Sequence, residues 1–204
     1  MSTKTVGLLL GITIVVIRAG SAPALAQPDS RLEVFGGYAY STQPPDVSGL
    51  PMKHLHGWRA AGTGLVTPRV GVELELTGLS GTYASIDLHG VVPPSLRVDP
   101  PIRQLTILAG PRFKVLCAER AAVTIHALVG TVRIRRADPH SLSLSSGHYS
   151  FASSVGGSLD LNLRPRVAIR LLEPSFFLCT GRTSGCDEKS FRIASGLIFR
   201  FLER

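Results

Sequence analysis

The stretch Val70-Gly71-Val72-Glu73-Leu74-Glu75-Leu76-Thr77 alternates strictly between two kinds of residue. Its even-numbered positions are apolar, whereas its odd-numbered positions are small, acidic or polar. Successive side chains of a β-strand point to opposite faces, so this pattern predicts a strand with one apolar and one polar face. Any fold of the chain must therefore give Val72 and Leu74 a different environment from Glu73 and Glu75.

Similar alternation recurs along the chain and predicts eight strands. Pro111 has no backbone N–H to donate to the sheet. We therefore expect either a bulge at Pro111 or a position opposite a weakly paired point of the neighbouring strand. The broken alternation at Leu172-Glu173-Pro174 predicts a bulge. The strands are expected at Arg31–Tyr40, Gly57–Val66, Arg69–Leu79, Arg103–Leu116, Ala122–Ile134, Phe151–Leu161, from Val167 to the loop that holds two cysteines, and at Ser190–Phe201.

The connections between these strands fall into two classes. Those after strands 2, 4 and 6 have about two to six residues, and those after strands 1, 3, 5 and 7 have about ten or more. Short turns at one end and long loops at the other are typical of transmembrane barrels, in which the short turns are periplasmic. With an even number of strands, both termini would also be periplasmic.

The N-terminal residues have the features of a secretory signal peptide. Lys4 is followed by the apolar run Val6–Ile17, and Ala24-Leu25-Ala26 fits a cleavage site. The run is shorter than the ~20 residues that a membrane-spanning helix needs. We therefore expect a signal peptide at residues 1–26 and a barrel domain at residues 27–204.

Taken together, these patterns predict an all-β chain that forms an eight-stranded antiparallel up-and-down transmembrane β-barrel. The apolar faces would contact lipid and the polar faces would line a narrow, packed lumen. A soluble β-sandwich and a lipocalin-like barrel with the two faces reversed are the alternatives. Charges of both signs on the polar faces favour the membrane barrel, because a closed lumen requires charge pairing and an exterior does not.

The residues expected in the lumen carry charges of both signs, and buried charges need partners. Glu73 and Glu75 are expected to pair with Arg112 and Lys114, and Glu33 with Arg200 across the seam between the first and last strands. Asp160 and Arg170 are expected to pair on neighbouring strands. The predicted lumen network comprises Glu33, Glu73, Glu75, Arg112, Lys114, His126, Asp160, Arg170, Arg192 and Arg200.

The outward faces are expected to combine an apolar band with aromatic residues at its two edges, as membrane interfaces favour. The predicted lipid-facing residues are Val70, Val72, Leu74, Leu76, Ile107, Val123, Ile125, Val167, Ile169, Ile193 and Leu197. The predicted interface aromatics are Tyr38, Tyr40, Trp58, Phe151, Phe191, Phe199 and Phe201.

Three cysteines suit an oxidising compartment, and Cys179 and Cys186 flank a short polar loop. One disulfide between these two, with Cys117 left over, is the economical arrangement. His54 and His56 form only an H-x-H pair in a proline-rich loop, so no metal and no cofactor are expected.

The chain also resembles a known family. The strings LEVFGGYAYS (32–41), LTILAGPRF (105–113), VTIHALVG (123–130), SVGGSLDLNLRPRVAIRL (154–171) and SGLIFRF (195–201) resemble the OmpA-like eight-stranded outer-membrane β-barrels, also described as the outer membrane protein beta-barrel domain. The resemblance implies the outer membrane of a Gram-negative-type bacterium. It also implies recognition by the barrel-assembly machinery through a C-terminal aromatic residue. Phe201 fits that role, although three residues follow it.

The composition narrows the choice of function. The formal net charge is +8, but an exported chain rarely meets nucleic acid, so outer-membrane lipids are the expected partners of the basic residues. The favoured interpretation is a non-enzymatic barrel whose long loops (41–56, 81–101, 135–150 and 179–189) contact an unknown extracellular partner. Two alternatives remain open. One is a lipid A-modifying enzyme that uses His140, Ser141, His148 and Ser150, and the other is a soluble periplasmic lipocalin-like ligand binder.

Overall fold

The structure, a computed structural model, describes residues 30–43, 53–82, 101–136, 148–181 and 186–202. The predicted signal peptide therefore lies outside the described residues. The described part of the chain contains no helix that is long and apolar enough to cross a membrane. Its strands are β1 Ser30–Gln43, β2 Lys53–Leu65, β3 Val70–Thr82, β4 Pro101–Cys117, β5 Ala121–Arg136, β6 His148–Arg164, β7 Val167–Gly181 and β8 Cys186–Leu202.

Each strand pairs antiparallel with its neighbour in sequence, and β1 pairs with β8 to close the barrel. The predicted fold class, an eight-stranded up-and-down barrel, is confirmed. Residues 66–69, 118–120 and 165–166 connect strands at one end, which we call the short-turn end. Residues 44–52, 83–100, 137–147 and 182–185 separate strands at the other end, the long-connection end.

The strands extend further toward the long-connection end than the sequence predicts. β1 continues to Gln43 and β2 begins at Lys53, because backbone pairing persists where the apolar alternation has already faded. β7 and β8 stay paired as far as Gly181 and Cys186, which leaves only residues 182–185 between them. The prediction of ten or more residues in that connection is therefore wrong.

The exposure of the residues of β3 shows which face of the sheet lines the lumen. Val72 and Leu74 are 57% and 58% exposed on the outside, whereas Glu73 and Glu75 are 0% and 3% exposed inside. The lipocalin-like alternative, which requires the reverse orientation, is contradicted. All the predicted lipid-facing residues are exposed or half-buried on outward positions.

The predicted bulge in β7 is present and has a large effect on which way its residues face. The register with β8 shifts by one residue between Arg170 and Glu173. Leu171 and Leu172 are consequently both exposed, and Arg170 and Glu173 are both buried. In a regular strand, residues three apart lie on opposite faces.

Pro111 does not cause a bulge, so that alternative for the proline is wrong. On β5, Val129 pairs with Ala109 and His126 with Arg112, so the register passes Pro111 without a shift. The irregularity lies instead between Lys114 and Leu116. Pro111 is exposed on the outward face and interrupts the ladder only locally.

The interior is only partly polar, which differs from the predicted polar lumen. Two clusters of buried apolar side chains share it with the charged residues, one that includes Leu55 and Leu79 and one that includes Leu108, Leu128 and Phe177. Leu108 interrupts the alternation of its strand, so its inward position was not evident from the sequence. The apolar filling and the charged residues share one closed interior.

The seam that closes the barrel requires glycine at position 37. Gly37 lies directly opposite Gly196, and a Cβ added to Gly37 would clash with the carbonyl oxygen of Ser195 and lie 2.8 Å from the Cα of Gly196. A Cβ added to the neighbouring Gly36 would meet nothing within 4 Å. The seam therefore tolerates a side chain at one of two adjacent glycines and not at the other.

We expect Gly37→Val to weaken closure of the barrel, because over-packing against backbone cannot be relieved by rotating a side chain. Such over-packing typically costs about 1–3 kcal/mol. The measurement is gel migration of unboiled and boiled samples, in which the variant should lose most of the band of the folded form. Gly36→Val is the matched control and should keep it. Equal loss in both variants would contradict this account of the seam.

Candidate functional site: the ionic ring inside the barrel

Six charged side chains form a closed ring across the lumen, and we call this set the ionic ring. Arginines and acids alternate around it, so each charged group has an opposite charge on either side. In order around the ring, the shortest distances are Arg59–Glu73 3.0 Å, Glu73–Arg112 2.8 Å, Arg112–Asp160 3.2 Å, Asp160–Arg170 2.8 Å, Arg170–Glu173 2.9 Å and Glu173–Arg59 2.7 Å.

The barrel brings these residues together from five strands. Arg59 comes from β2, Glu73 from β3, Arg112 from β4 and Asp160 from β6, while β7 supplies both Arg170 and Glu173. The ion pair between Arg59 and Glu173 crosses the lumen, because β2 and β7 are not neighbours. An eight-stranded barrel is narrow enough for long side chains to meet in this way.

Hydrogen bonds within and beyond the ring fix its arginines in place. Arg170 binds Asp160 with two nitrogens, Nε to Oδ1 at 2.8 Å and Nη2 to Oδ2 at 3.2 Å. Arg112 also donates to Thr124 Oγ1 at 3.1 Å and Ser158 Oγ at 3.3 Å. Paired, charge-assisted hydrogen bonds of this kind are stronger than neutral ones and offset part of the cost of removing the charges from water.

Neighbouring ion pairs extend the ring toward the seam. Glu75 forms an ion pair with Arg59 at 3.1 Å. Glu33 accepts from Lys114 Nζ at 2.9 Å and from Arg200 Nε at 3.0 Å. Glu33 and Arg200 are register partners on β1 and β8, whereas Lys114 reaches Glu33 from β4 across the lumen.

His126 lies beside the ring on β5. Its Nδ1 is 3.3 Å from Glu173 Oε1, and the ligand atoms of Glu73, His126 and Glu173 lie within 4.8 Å of one another. These residues do not fit a metal ion well, because both oxygens of Glu73 and Oε2 of Glu173 already accept from arginines. Three nearby guanidinium groups would also repel a cation. The expected absence of a metal stays a prediction.

Three of the expected ion pairs form, and the expected pairing that would have joined Glu75 to Lys114 does not. Glu73 pairs with Arg112, Glu33 with Arg200 and Asp160 with Arg170. Glu75 binds Arg59 rather than Arg112 or Lys114, and Lys114 binds Glu33 rather than either acid of β3. Of the other predicted lumen residues, Arg192 is buried nearer the long-connection end, with its guanidinium 3.4 Å from the ring centre of Phe177.

Sequence reasoning missed two members of the ring. Arg59 lies on the polar face that the alternation predicts for β2. The alternation alone could therefore have placed it among the predicted lumen residues. Glu173 follows the bulge, which exchanges the inward and outward positions of the residues after it. A pattern with period two therefore does not predict which face Glu173 occupies. Both residues are buried, at 4% and 0% exposed.

The predicted interface aromatics lie near the two ends of the barrel. Tyr38 and Trp58 are exposed register partners toward the long-connection end, where Phe151 and Phe191 are also exposed. Phe199 and Phe201 are exposed toward the short-turn end. Tyr40 is half-buried, and its hydroxyl shares a 2.6 Å hydrogen bond with His54 Nδ1.

The cysteines are partly described. Cys117 carries a free, half-buried thiol at the end of β4. Cys179 is buried and faces the lumen, and the side chain of Cys186 lies outside the described residues. The disulfide between Cys179 and Cys186 stays a prediction.

Only some of the residues expected for a lipid-modifying site lie within the described part of the chain. His140, Ser141 and the side chain of His148 lie outside the described residues. Ser150 is buried on an inward position of β6, away from the outer surface where a lipid would be reached. His126 contacts Glu173 inside the barrel.

No protein-family model matches the sequence, and no curated protein matches it significantly. Solved structures match most of the chain. Ail, the attachment invasion locus protein of Yersinia pestis, is 17% identical, with 84% of this chain and 99% of that chain covered and a TM-score of 0.56. Neisserial surface protein A is 11% identical, with 84% and 98% covered and a TM-score of 0.61.

The outer membrane protein OprG from Pseudomonas aeruginosa is 12% identical, with 87% of this chain and 99% of that chain covered and a TM-score of 0.53. These structures are eight-stranded outer-membrane barrels. The chain therefore has the fold of that class, and identities this low establish the fold alone.

We expect Glu73→Gln to destabilise the barrel, since it removes one carboxylate shared by Arg59 and Arg112 while keeping the side-chain volume. Breaking a buried ion pair typically costs about 3–5 kcal/mol. The measurement is the urea midpoint of unfolding in lipid vesicles. The matched control is Glu119→Gln, which removes the same charge at an exposed position between β4 and β5. A midpoint for Glu73→Gln equal to that of the control would contradict a stabilising role for the ring.

Proposed function

We propose that this chain is an integral protein of the outer membrane, with a non-conducting barrel that presents its long connections to the cell exterior and has no catalytic role. The single observation that carries the proposal is the segregation of charge between the two faces of the strands. Among the described residues, the interior contains five buried acidic side chains and six buried lysine or arginine side chains: Glu33, Glu73, Glu75, Asp160 and Glu173, with Arg59, Arg112, Lys114, Arg170, Arg192 and Arg200.

Midway along the barrel, the outward face has the opposite composition. On β4, for example, every outward residue from Leu105 to Val115 is uncharged, and Ile107, Phe113 and Val115 are among the exposed apolar ones. Such a continuous apolar surface would promote association in water. It matches the hydrocarbon layer that surrounds a transmembrane barrel.

The ionic ring argues against conduction. Its arginines reach across the lumen to acids on other strands, and buried apolar side chains such as Leu108 and Phe177 occupy more of the interior. In an eight-stranded barrel these side chains occupy the space that a wider porin leaves for water. We therefore assign the polar interior to stability of the fold.

The orientation follows from connection length. Short turns face the periplasm and long connections the exterior in barrels of this class, so the proposal places both termini in the periplasm. It includes a signal peptide at residues 1–26, cleaved on export, and recognition of Phe201 by the barrel-assembly machinery. Long connections displayed outside the cell are suited to binding another molecule.

The similarity to Ail suggests one kind of partner. Ail is named for attachment and invasion, and its structure is also known in complex with the heparin analogue sucrose octasulfate. Those properties belong to Ail. For this chain they support a search for an extracellular partner that contacts the connections at 44–52, 83–100 and 137–147.

We expect Leu74→Arg to destabilise the membrane-inserted barrel by about 2–4 kcal/mol, the usual cost of an arginine facing lipid near the bilayer centre. The measurement is the unfolding free energy in phospholipid vesicles. Val66→Arg makes the same chemical change in a short turn, where the side chain is 76% exposed, and should have little effect. If both variants unfold like wild type, the apolar face does not contact lipid.

We expect an epitope tag inserted after His89, within the connection 83–100, to bind antibody on intact cells. A tag inserted after Glu119, in a short turn, should bind only after the outer membrane has been permeabilised. The reverse pattern would overturn the orientation. Recovery of both proteins in the soluble periplasmic fraction would overturn the membrane assignment itself.

A further inference from the structure

Three arginines lie close together on the outer surface at the long-connection end of β4 and β5. Arg103 and Arg135 are register partners on the same outward face, and Arg133 lies two residues further along β5. We call Arg103, Arg133 and Arg135 the arginine cluster. Like charges placed directly opposite on neighbouring strands destabilise a sheet unless an anion lies between them.

The described outward positions next to the cluster supply no anion. Ser80 lies beside Arg103 on β3, Leu105 lies opposite Arg133, and Tyr149 lies beside Arg133 on β6. The structure gives none of the three arginines a salt bridge to a described residue. Arg133 instead has its guanidinium 5.3 Å from the ring centre of Tyr149, and its Nε is buried without a hydrogen-bond partner.

The position of the cluster relative to the apolar band points to a lipid. Toward the barrel centre, the outward residues that follow on these strands are Leu105, Ile107, Thr131 and Val129. A ligand with an anionic head and hydrocarbon chains could therefore bind the arginines with its head and lie along the apolar face with its chains. A soluble anion would gain only the first of these contacts.

We propose that the arginine cluster binds the phosphate group of a lipid in the outer leaflet, of the phosphorylated glycolipid class to which lipid A belongs. Planar guanidinium groups bind phosphate oxygens in pairs, and two or three arginines around one phosphate neutralise its charge. The Tyr149 ring holds Arg133 at the membrane edge, where aromatic residues are favoured. This inference rests on the proposed function, since it requires the long-connection end to face the outer leaflet.

The experiment uses native mass spectrometry of the protein purified in detergent, with diphosphorylated lipid A or its fully dephosphorylated form added as the probe. The test variant is Arg103→Gln with Arg135→Gln. The control variant is Arg69→Gln with Arg120→Gln, which removes the same charge from exposed positions at the short-turn end. All four residues are exposed or half-buried, so neither variant disturbs the interior.

We expect wild type to retain the diphosphorylated lipid and to bind the dephosphorylated form much more weakly. The test variant should bind the diphosphorylated lipid about tenfold more weakly, as the loss of two charge-assisted contacts at an exposed site implies. The control variant should bind like wild type. Equal binding of the two lipid forms by wild type, or equal losses in both variants, would overturn the assignment.

Two further measurements separate this inference from the proposed function. Inorganic phosphate at millimolar concentration should not displace the lipid, and displacement would mean that the cluster is a general anion site. If the protein inserts into the membrane and labels at the surface as expected, but the arginine substitutions do not change lipid binding, the lipid site alone would be overturned. Absence of the protein from the membrane fraction would overturn the proposed function.

Discussion

Neutralising charge inside a closed cylinder is the constraint on which the rest of this structure depends. An acidic or basic group in the lumen cannot reach bulk water, so each must find a partner among the other inward side chains. The ionic ring meets this need with three arginines and three acids in alternation. Because Arg59 and Glu173 meet across the lumen, the ring also joins walls of the barrel that share no backbone hydrogen bonds.

The sequence was most informative where a contact involves neighbouring strands. Alternation predicts which side chains face inward, and short turns set the relative heights of adjacent strands. Asp160–Arg170 follows from those two facts, because residues 165–166 join β6 to β7. For Glu73–Arg112 and Glu33–Arg200, whose strands no short turn joins, alternation supplied only the inward positions. All three pairs form. Contacts across the lumen depend on barrel diameter and stagger, which no local pattern encodes. The ion pair between Lys114 and Glu33 could therefore not be predicted from the sequence.

Apolar packing surrounds the charged groups inside the barrel. Leu108, Leu128 and Phe177 belong to one buried cluster, and Phe35, in a second cluster, lies against the guanidinium groups of Arg59 and Arg170. Low polarity beside the ring strengthens the attraction between paired charges and raises the cost of any charge left alone. The apolar packing and the ionic ring are therefore interdependent, since they share one lumen.

The bulge in β7 has a consequence for relating this chain to other proteins. Outward residues are odd-numbered from Val167 to Leu171 and even-numbered from Leu172 to Thr180. An alignment that matches the outward apolar residues of this strand to those of a regular strand therefore needs a one-residue gap at this point. A chimera joined here without the extra residue would invert every downstream side chain of the strand, turning Glu173 toward hydrocarbon and Phe176 toward the lumen.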